Sequence, residues 1–175
     1  MNMPRQTHGA INWGEDGRLE ALSFDLQGET FALEAMMVQE ILDLTEETTV
    51  PGAPALVGGV INFRGKVIPL ADLGLAFGMG PGEVTPDSRI IVIEMDIEGE
   101  MTLIGLRTDK VHEVTTLVQS AAEPPPSIGM RWRADFVHSL VKRDGEFIVL
   151  PDLPTIFASL CDPALAGAVS SHPRP

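Results

Sequence analysis

The chain of 175 residues carries one cysteine, Cys161. A single thiol excludes an internal disulfide and any zinc site of the CxxC type. Tyrosine is absent, and seven Phe and two Trp are the whole aromatic complement. No aromatic platform for stacked bases can be built from so few rings. Bases are scarce as well: 12 Lys and Arg stand against 25 Asp and Glu, a formal charge of −13. Phosphate recognition needs a basic footprint, so nucleic acid and an anionic membrane surface are both excluded as direct partners. Long apolar runs are missing too. The longest, about residues 53–63, contains two glycines and falls short of the roughly 20 residues of a membrane helix. Residues 1–19 are polar and lack the apolar stretch of a signal peptide. The expectation is a cytoplasmic protein without direct membrane insertion. Its 44 % hydrophobic content suffices for a core, and its length suits one domain or two small fused ones.

Catalytic constellations are also missing. Neither GxSxG nor HExxH occurs. His112-Glu113 and His138-Ser139 are adjacent pairs on strand-like segments, and neighbours on a strand point to opposite faces. Glu94, Asp96, Glu98 and Glu100 straddle a hairpin turn without the spacing of a calcium loop. The glycine-rich segment 78–82 lacks the Lys-Ser/Thr of a phosphate-binding loop, and Pro81 removes a backbone donor. Arg131-Trp132-Arg133 reads as a surface contact in so acidic a chain, and Cys161 as inert packing. No catalytic residue, metal site or cofactor is expected.

Short strands are what the chain does contain. Residues 1–18 read as a flexible lead. Leu22, Phe24 and Leu26 then alternate with Ser23, Asp25 and Gln27, a half-buried strand. Gly28-Glu29 turns it into a returning strand at 30–33. A single helical turn near 35–37 precedes a strand containing Val38, Glu40 and Ile41. Residues 48–51 are an extended connection, because the residue before a proline avoids the helical region. Residues 88–97 form the clearest strand. Residues 101–108 are apolar on both sides and therefore central. Val111, Val114 and Leu117 lie in a further extended piece. Asp144-Gly145 is a two-residue hairpin signal between 136–141 and 146–150. Asp152 caps a helix that carries Leu153, Ile156, Phe157 and Leu160 on one side. The end, 162–175, is small and proline-rich and reads as disordered. About ten short strands with only short helices indicate an all-β barrel or sandwich.

The densest stretch is 62–77. One apolar run ends at Phe63. Arg64-Gly65-Lys66 forms a tight charged turn, and a second run follows at 67–70. Asp72 caps a short helix with Leu73, Ala76 and Phe77 inward and Gly78 just past its end. The stretch has an echo 80 residues later. Gly65, Ile68, Leu70, Asp72, Leu73 and Phe77 are matched by Gly145, Ile148, Leu150, Asp152, Leu153 and Phe157. That pattern points to two similar small barrels in one chain. It does not extend to the residue before the turn glycine, which is Arg64 in one copy and Asp144 in the other.

Without chemistry of its own, such a scaffold works by binding. Val38, Ile41, Val111 and Val114 fit either core packing or a groove between the barrels that is open to a partner helix. Arg64 fits either a solvated or ion-paired turn residue or a rigidly presented cation, suited to a bidentate carboxylate contact.

The segment Asn62-Phe63-Arg64-Gly65-Lys66-Val67-Ile68-Pro69-Leu70-Ala71-Asp72-Leu73 closely resembles the signature of the CheW-like chemotaxis coupling proteins. Residues 24–33, Val38-Gln39-Glu40-Ile41, and Gly105 through Asp109 to Val114 agree with that family in order and spacing. The resemblance covers about residues 20–160. It implies two five-stranded, SH3-like barrels on a shared hydrophobic core, forming one domain over 19–161. It also implies a non-enzymatic adaptor that couples membrane chemoreceptors to the chemotaxis histidine kinase, whose regulatory domain has the same fold. Carried over by motif, Val38, Glu40, Ile41, Gly59 and Arg64 fall on the partner-binding surface. Val111 and Val114 fall in the groove for the helical receptor tip. The implied location is the cytoplasm, at membrane receptor arrays. Gly74, where many members carry Arg, and Lys110, where glycine is frequent, depart from the family pattern. They bear on the choice of partner. Two other outcomes stay open. One is a coupling module in a non-motility pathway, such as pili. The other is a module that binds a small ligand in a roomy pocket between its barrels.

Overall fold

The computed structural model describes residues 11–80, 82–126 and 133–161, the side chains of the last two excepted. Twelve strands and two helices follow in order among the described residues. The first half holds β1 (Arg18–Leu26), β2 (Glu29–Glu34), β3 (Val38–Asp43), β4 (Thr48–Thr49), β5 (Gly59–Phe63), β6 (Lys66–Ala71) and α1 (Leu73–Ala76). The second holds β7 (Arg89–Ile97), β8 (Glu100–Thr108), β9 (Lys110–Val118), β10 (Ala122–Glu123), β11 (Val137–Arg143), β12 (Glu146–Pro151) and α2 (Leu153–Cys161). The single helical turn expected near 35–37 is a 3-10 turn, Ala35–Met37.

Four hairpins share one turn chemistry. Gln27-Gly28, Arg64-Gly65, Glu98-Gly99 and Asp144-Gly145 all have positive φ at both residues. That is the two-residue turn whose twist matches the flanking strands, with glycine filling the more demanding second position. The first turn therefore lies one residue earlier than the expected Gly28-Glu29: Glu29 already pairs with Leu26.

The sheets show how the sequence echo is built. One runs β9-β1-β2-β12-β11-β10 and the other β3-β7-β8-β6-β5-β4. Each order becomes the other when every strand is exchanged for the one six places along the chain. Each sheet has five longer strands and one of two residues. The two halves are not stacked in series. The β1-β2 hairpin of the first half sits among strands of the second, and the β7-β8 hairpin of the second sits among strands of the first. Both insertions are made by a parallel pair: Val149 beside Phe31, and Leu70 and Ala71 beside Gly105 and Leu106. Even the helix entries match. Asp72 N donates to Leu56 O at 2.9 Å and Asp152 N to Phe136 O at 2.8 Å, 80 residues apart. Each aspartate then caps its helix, Asp72 Oδ1 accepting from Gly74 N at 3.0 Å and Asp152 Oδ1 from Thr155 N at 3.0 Å.

Interlocked hairpins explain the distribution of apolar residues. Leu19, Ala21, Ala32, Leu117, Val141, Ile148 and Leu150 form a small core within the first sheet. Ile61, Phe63, Ile68, Leu70, Ile90 and Val92 do so within the second. Each cluster draws on strands from across its own sheet, so each sheet curls around its own core. A third, larger core lies between them and includes Phe24, Phe31, Ile91, Ile93, Leu106, Phe77, Ile156 and Phe157. β1 and β7 face a barrel interior on one side and this shared core on the other. That is why Ser23, expected on a solvated face, is buried, its hydroxyl 3.5 Å from Glu113 O. Gly105 lies where the second sheet is tightest: a Cβ there would meet Ile90 Cγ2 at 3.1 Å, Leu70 Cδ1 at 3.2 Å and Ile61 Cδ1 at 3.3 Å. Gly105→Ala is expected to overpack that core and cost about 1–3 kcal/mol, read as a lower urea midpoint with an unchanged m-value.

The described part of the lead, expected to be flexible over 1–18, makes contacts with the first sheet. Ile11 and Trp13 pack on the first sheet's core, Gly17 O accepts from Gln119 N at 2.8 Å, and Arg18 opens β1. Residues 1–10, the expected disordered tail 162–175, and Pro81, Arg131 and Trp132 lie outside the described residues.

Candidate partner-binding surface

Arg64 stands at the tip of the β5-β6 hairpin with its side chain 70 % exposed. Three contacts hold the tip. Asn62 Oδ1 accepts from Gly65 N at 3.1 Å. The guanidinium lies 5.1 Å from the centre of the Phe63 ring. Its Nη2 is 3.5 Å from Glu40 Oε2 on β3. The cation is therefore pre-positioned by a buried ring and a carboxylate while most of it stays in water. Such a pair contributes little to stability, roughly 0–1 kcal/mol, and leaves several guanidinium donors free for a partner. Positive φ does not distinguish Arg64, since Gln27 and Glu98 adopt it as well.

Strand β3 is an edge strand. Val38 is paired with Ile93 and Ile41 with Ile91, while Glu40 faces Val92, across an irregularity between Val38 and Glu40. Cross-strand partners share a face, and Ile91 and Ile93 belong to the shared core whereas Val92 belongs to the second sheet's own core. The bulge thus sets Val38 and Ile41, three apart in sequence, on the shared-core side and turns Glu40 toward Arg64. Val38 is half-buried against that core, and Ile41 is 43 % exposed.

Strand β9, the edge of the other sheet, repeats the device. Val114 pairs with Leu22 and Val111 with Phe24, with a register shift between them. Both partners belong to the shared core, so Val111 and Val114 also share that side. Val111 packs on the core and Val114 is 55 % exposed. An open groove of about 590 Å³ is lined by Val111, His112, Glu113, Val114, Ser23 and Arg143. His112 Nε2 lies 2.9 Å from Asp25 Oδ2 across β1 and β9.

Gly59 differs from the other candidates. It is buried in β5, and a Cβ would meet the Glu47 side chain at 2.4 Å. It leaves room for Glu47 to lie across the strand. A further departure concerns His138 and Ser139, adjacent on a strand and expected to point apart. A bulge between Val137 and Ser139 brings His138 Nδ1 within 3.1 Å of Ser139 Oγ.

Two features escaped the sequence reading. Val67, expected within a buried run, is 70 % exposed, and Phe147 is 48 % exposed. They occupy equivalent places in the two hairpins, so the 80-residue offset could have paired them. The other is the lining of a cleft of about 690 Å³ between the sheets, walled by β2, β7 and α2 and containing Glu34; the sequence leaves a pocket between the barrels open but names none of its residues. Burial raises the Glu34 pKa above its ordinary value near 4.5, and the Asn12 backbone N–H opposes the rise. A carboxyl whose pKa is raised by folding binds its proton more readily in the folded state. Its favourable contribution is therefore complete at low pH and lost as the pH climbs through the folded pKa. Glu34→Gln is expected to raise the melting temperature at pH 7, with the gain shrinking toward pH 4. Melts across that range check it, and a gain independent of pH would contradict the assignment.

The comparisons with known proteins agree in family. The CheW-like domain model matches residues 20–161. The chain belongs to the CheW-like family. Chemotaxis protein CheW of Rhizobium meliloti (strain 1021) is 32 % identical over 153 residues, covering 87 % of this chain and 96 % of that one. Chemotaxis protein CheW of Bacillus subtilis (strain 168) is 30 % identical over 131 residues, covering 74 % and 80 %. Protein PilI of Pseudomonas aeruginosa is 25 % identical over 149 residues, covering 84 % and 77 %. Among solved structures, scaffolding protein TtCheW from Thermoanaerobacter tengcongensis is similar, with 34 % identity, a TM-score of 0.70, and coverage of 79 % of this chain and 92 % of that one. The two-sheet β fold described above is the one this likeness covers. Among the described residues no helix is long and apolar enough to cross a membrane.

Proposed function

We propose that this CheW-like chain is a non-enzymatic adaptor that couples transmembrane chemoreceptors to the chemotaxis histidine kinase from the cytoplasmic side of a receptor array. The observation that carries the reading is the paired bulge in β3 and β9. In both edge strands it sets two branched apolar side chains, one half-buried and one exposed, on the shared-core side. A helical receptor tip with an apolar stripe suits such a surface. The Arg64–Glu40 tip, with Val38 and Ile41 beside it on β3, suits the kinase regulatory domain, a partner of the same fold by family resemblance. The mechanism is structural. A receptor's two conformations bias the kinase only as far as the contacts held through the adaptor differ between them.

Val114→Asp tests the groove. A carboxylate in place of an exposed apolar contact is expected to weaken binding of a receptor-tip fragment tenfold or more, as is usual for the central residues of an interface, with the kinase regulatory domain still bound. Titration of both fragments checks it, and equal loss of both would sink the division of surfaces. The likeness to PilI favours one second reading, the same coupling module in a non-motility pathway such as pili.

A further inference from the structure

The cleft between the sheets has the lining of a second binding site. Its walls come from both sheets and α2: Leu33, Met37, Met95, Ile97 and Leu153. Its volume of about 690 Å³ and its open side leave room for a few side chains of a segment lying across it. Unbranched methionine side chains let such walls adapt to an occupant's shape. Three carboxylates, Glu34, Asp96 and Glu98, stand among them. Asp96 Oδ1 accepts from Gly99 N at 2.8 Å and Glu34 accepts from the Asn12 backbone. Among the described residues no cation pairs with any of the three. Glu34 is partly stripped of water without a compensating charge, and an occupant that brings one offsets that loss. An anion is repelled by the same groups and by a chain of charge −13. The apolar walls require apolar flanks on whatever carries the cation.

We propose that this cleft binds a basic amphipathic segment of a partner protein, a lysine or arginine seated among Glu34, Asp96 and Glu98 with its apolar neighbours on the partly exposed Met37, Ile97 and Pro154. The site goes beyond the coupling surfaces, since none of Val38, Glu40, Ile41, Gly59, Arg64, Val111 and Val114 lines it.

The test uses the full chain labelled with ¹³C at methionine methyls and a 14-residue helical peptide of leucine and lysine. The Met37 and Met95 resonances are expected to shift in a saturable manner while Met79, beside α1, does not move. The combined variant Glu34→Gln, Asp96→Asn, Glu98→Gln keeps shape and hydrogen-bond acceptors and is expected to weaken binding at least tenfold. Ala158→Trp, at an exposed α2 position on the cleft rim, is expected to abolish it, and a peptide with glutamate for lysine is expected not to bind. Three results overturn the proposal. One is shifts spread over all methionines. Another is affinity unchanged in the neutralised variant, which means attraction to an acidic surface only. The third is saturable binding seen only after removal of residues 1–10, which makes the chain its own occupant.

Discussion

Arg64→Glu is expected to weaken binding of the kinase regulatory domain or the receptor tip tenfold or more while the chain stays folded. The tip makes this separation possible. Positive φ at Arg64 is set by the hairpin, and glutamate adopts it at the same cost, as Glu98 does in its own turn. The substitution removes an ion pair of 3.5 Å between exposed groups and puts a carboxylate near Glu40 instead. At such exposure both effects are screened, so the stability loss stays at about 1 kcal/mol or less, a few degrees in melting temperature. A partner loses more, because a desolvated carboxylate that faced a guanidinium then faces a like charge. Glu40→Arg combined with Arg64→Glu rebuilds the pair in reverse. It is expected to regain the stability and not the binding. Calorimetric titration of the three variants checks this. Normal binding by a folded Arg64→Glu chain would remove Arg64 from the contact surface.

Phe31→Ala is expected to have the largest effect on stability, about 3–5 kcal/mol as for other buried phenylalanines, against a total of roughly 5–15 kcal/mol for a domain. Phe31 is fully buried. Its ring stacks on Phe24 at 5.9 Å between centroids and tilts against Phe77 at 5.1 Å. It also sits opposite Val149 in the parallel pair that inserts the first half's hairpin into the second half's sheet. Because each sheet contains strands from both halves, neither sheet can open without exposing the shared core. Urea unfolding followed separately by tryptophan fluorescence and by circular dichroism is expected to give one coincident transition in the native chain and in the variant, at a much lower midpoint in the latter. Two separated transitions would contradict the interlocked topology.

Much of the scaffold was legible because its signals are local. Asp72 and Asp152 announce their helices by capping chemistry, Asp144-Gly145 by its turn preference, and 101–108 its central place by apolarity on both sides. The 80-residue echo correctly announced two related units. It did not show that they exchange hairpins, since strand patterning is unaffected by which sheet a hairpin joins. Ser23 was misplaced for the same reason: two-sided burial of β1 comes from the shared core and leaves no mark in an alternating sequence. The candidate surface was legible in residue type and not in geometry. Val38 and Ile41, or Val111 and Val114, are three apart, which on a regular strand puts them on opposite faces. Only the bulges of β3 and β9 bring each pair to one side. Gly59 carried the family motif but lies beneath Glu47, and the cleft around Glu34 is assembled from β2, β7 and α2, too distant in sequence for any spacing rule.

An adaptor must hold two partners at once, and sedimentation velocity of the chain with a receptor-tip fragment and the kinase regulatory domain tests that most directly. A ternary complex is expected, and it loses the receptor fragment alone in Val114→Asp. Mutually exclusive binding, in which saturating receptor fragment displaces the kinase domain, would contradict it.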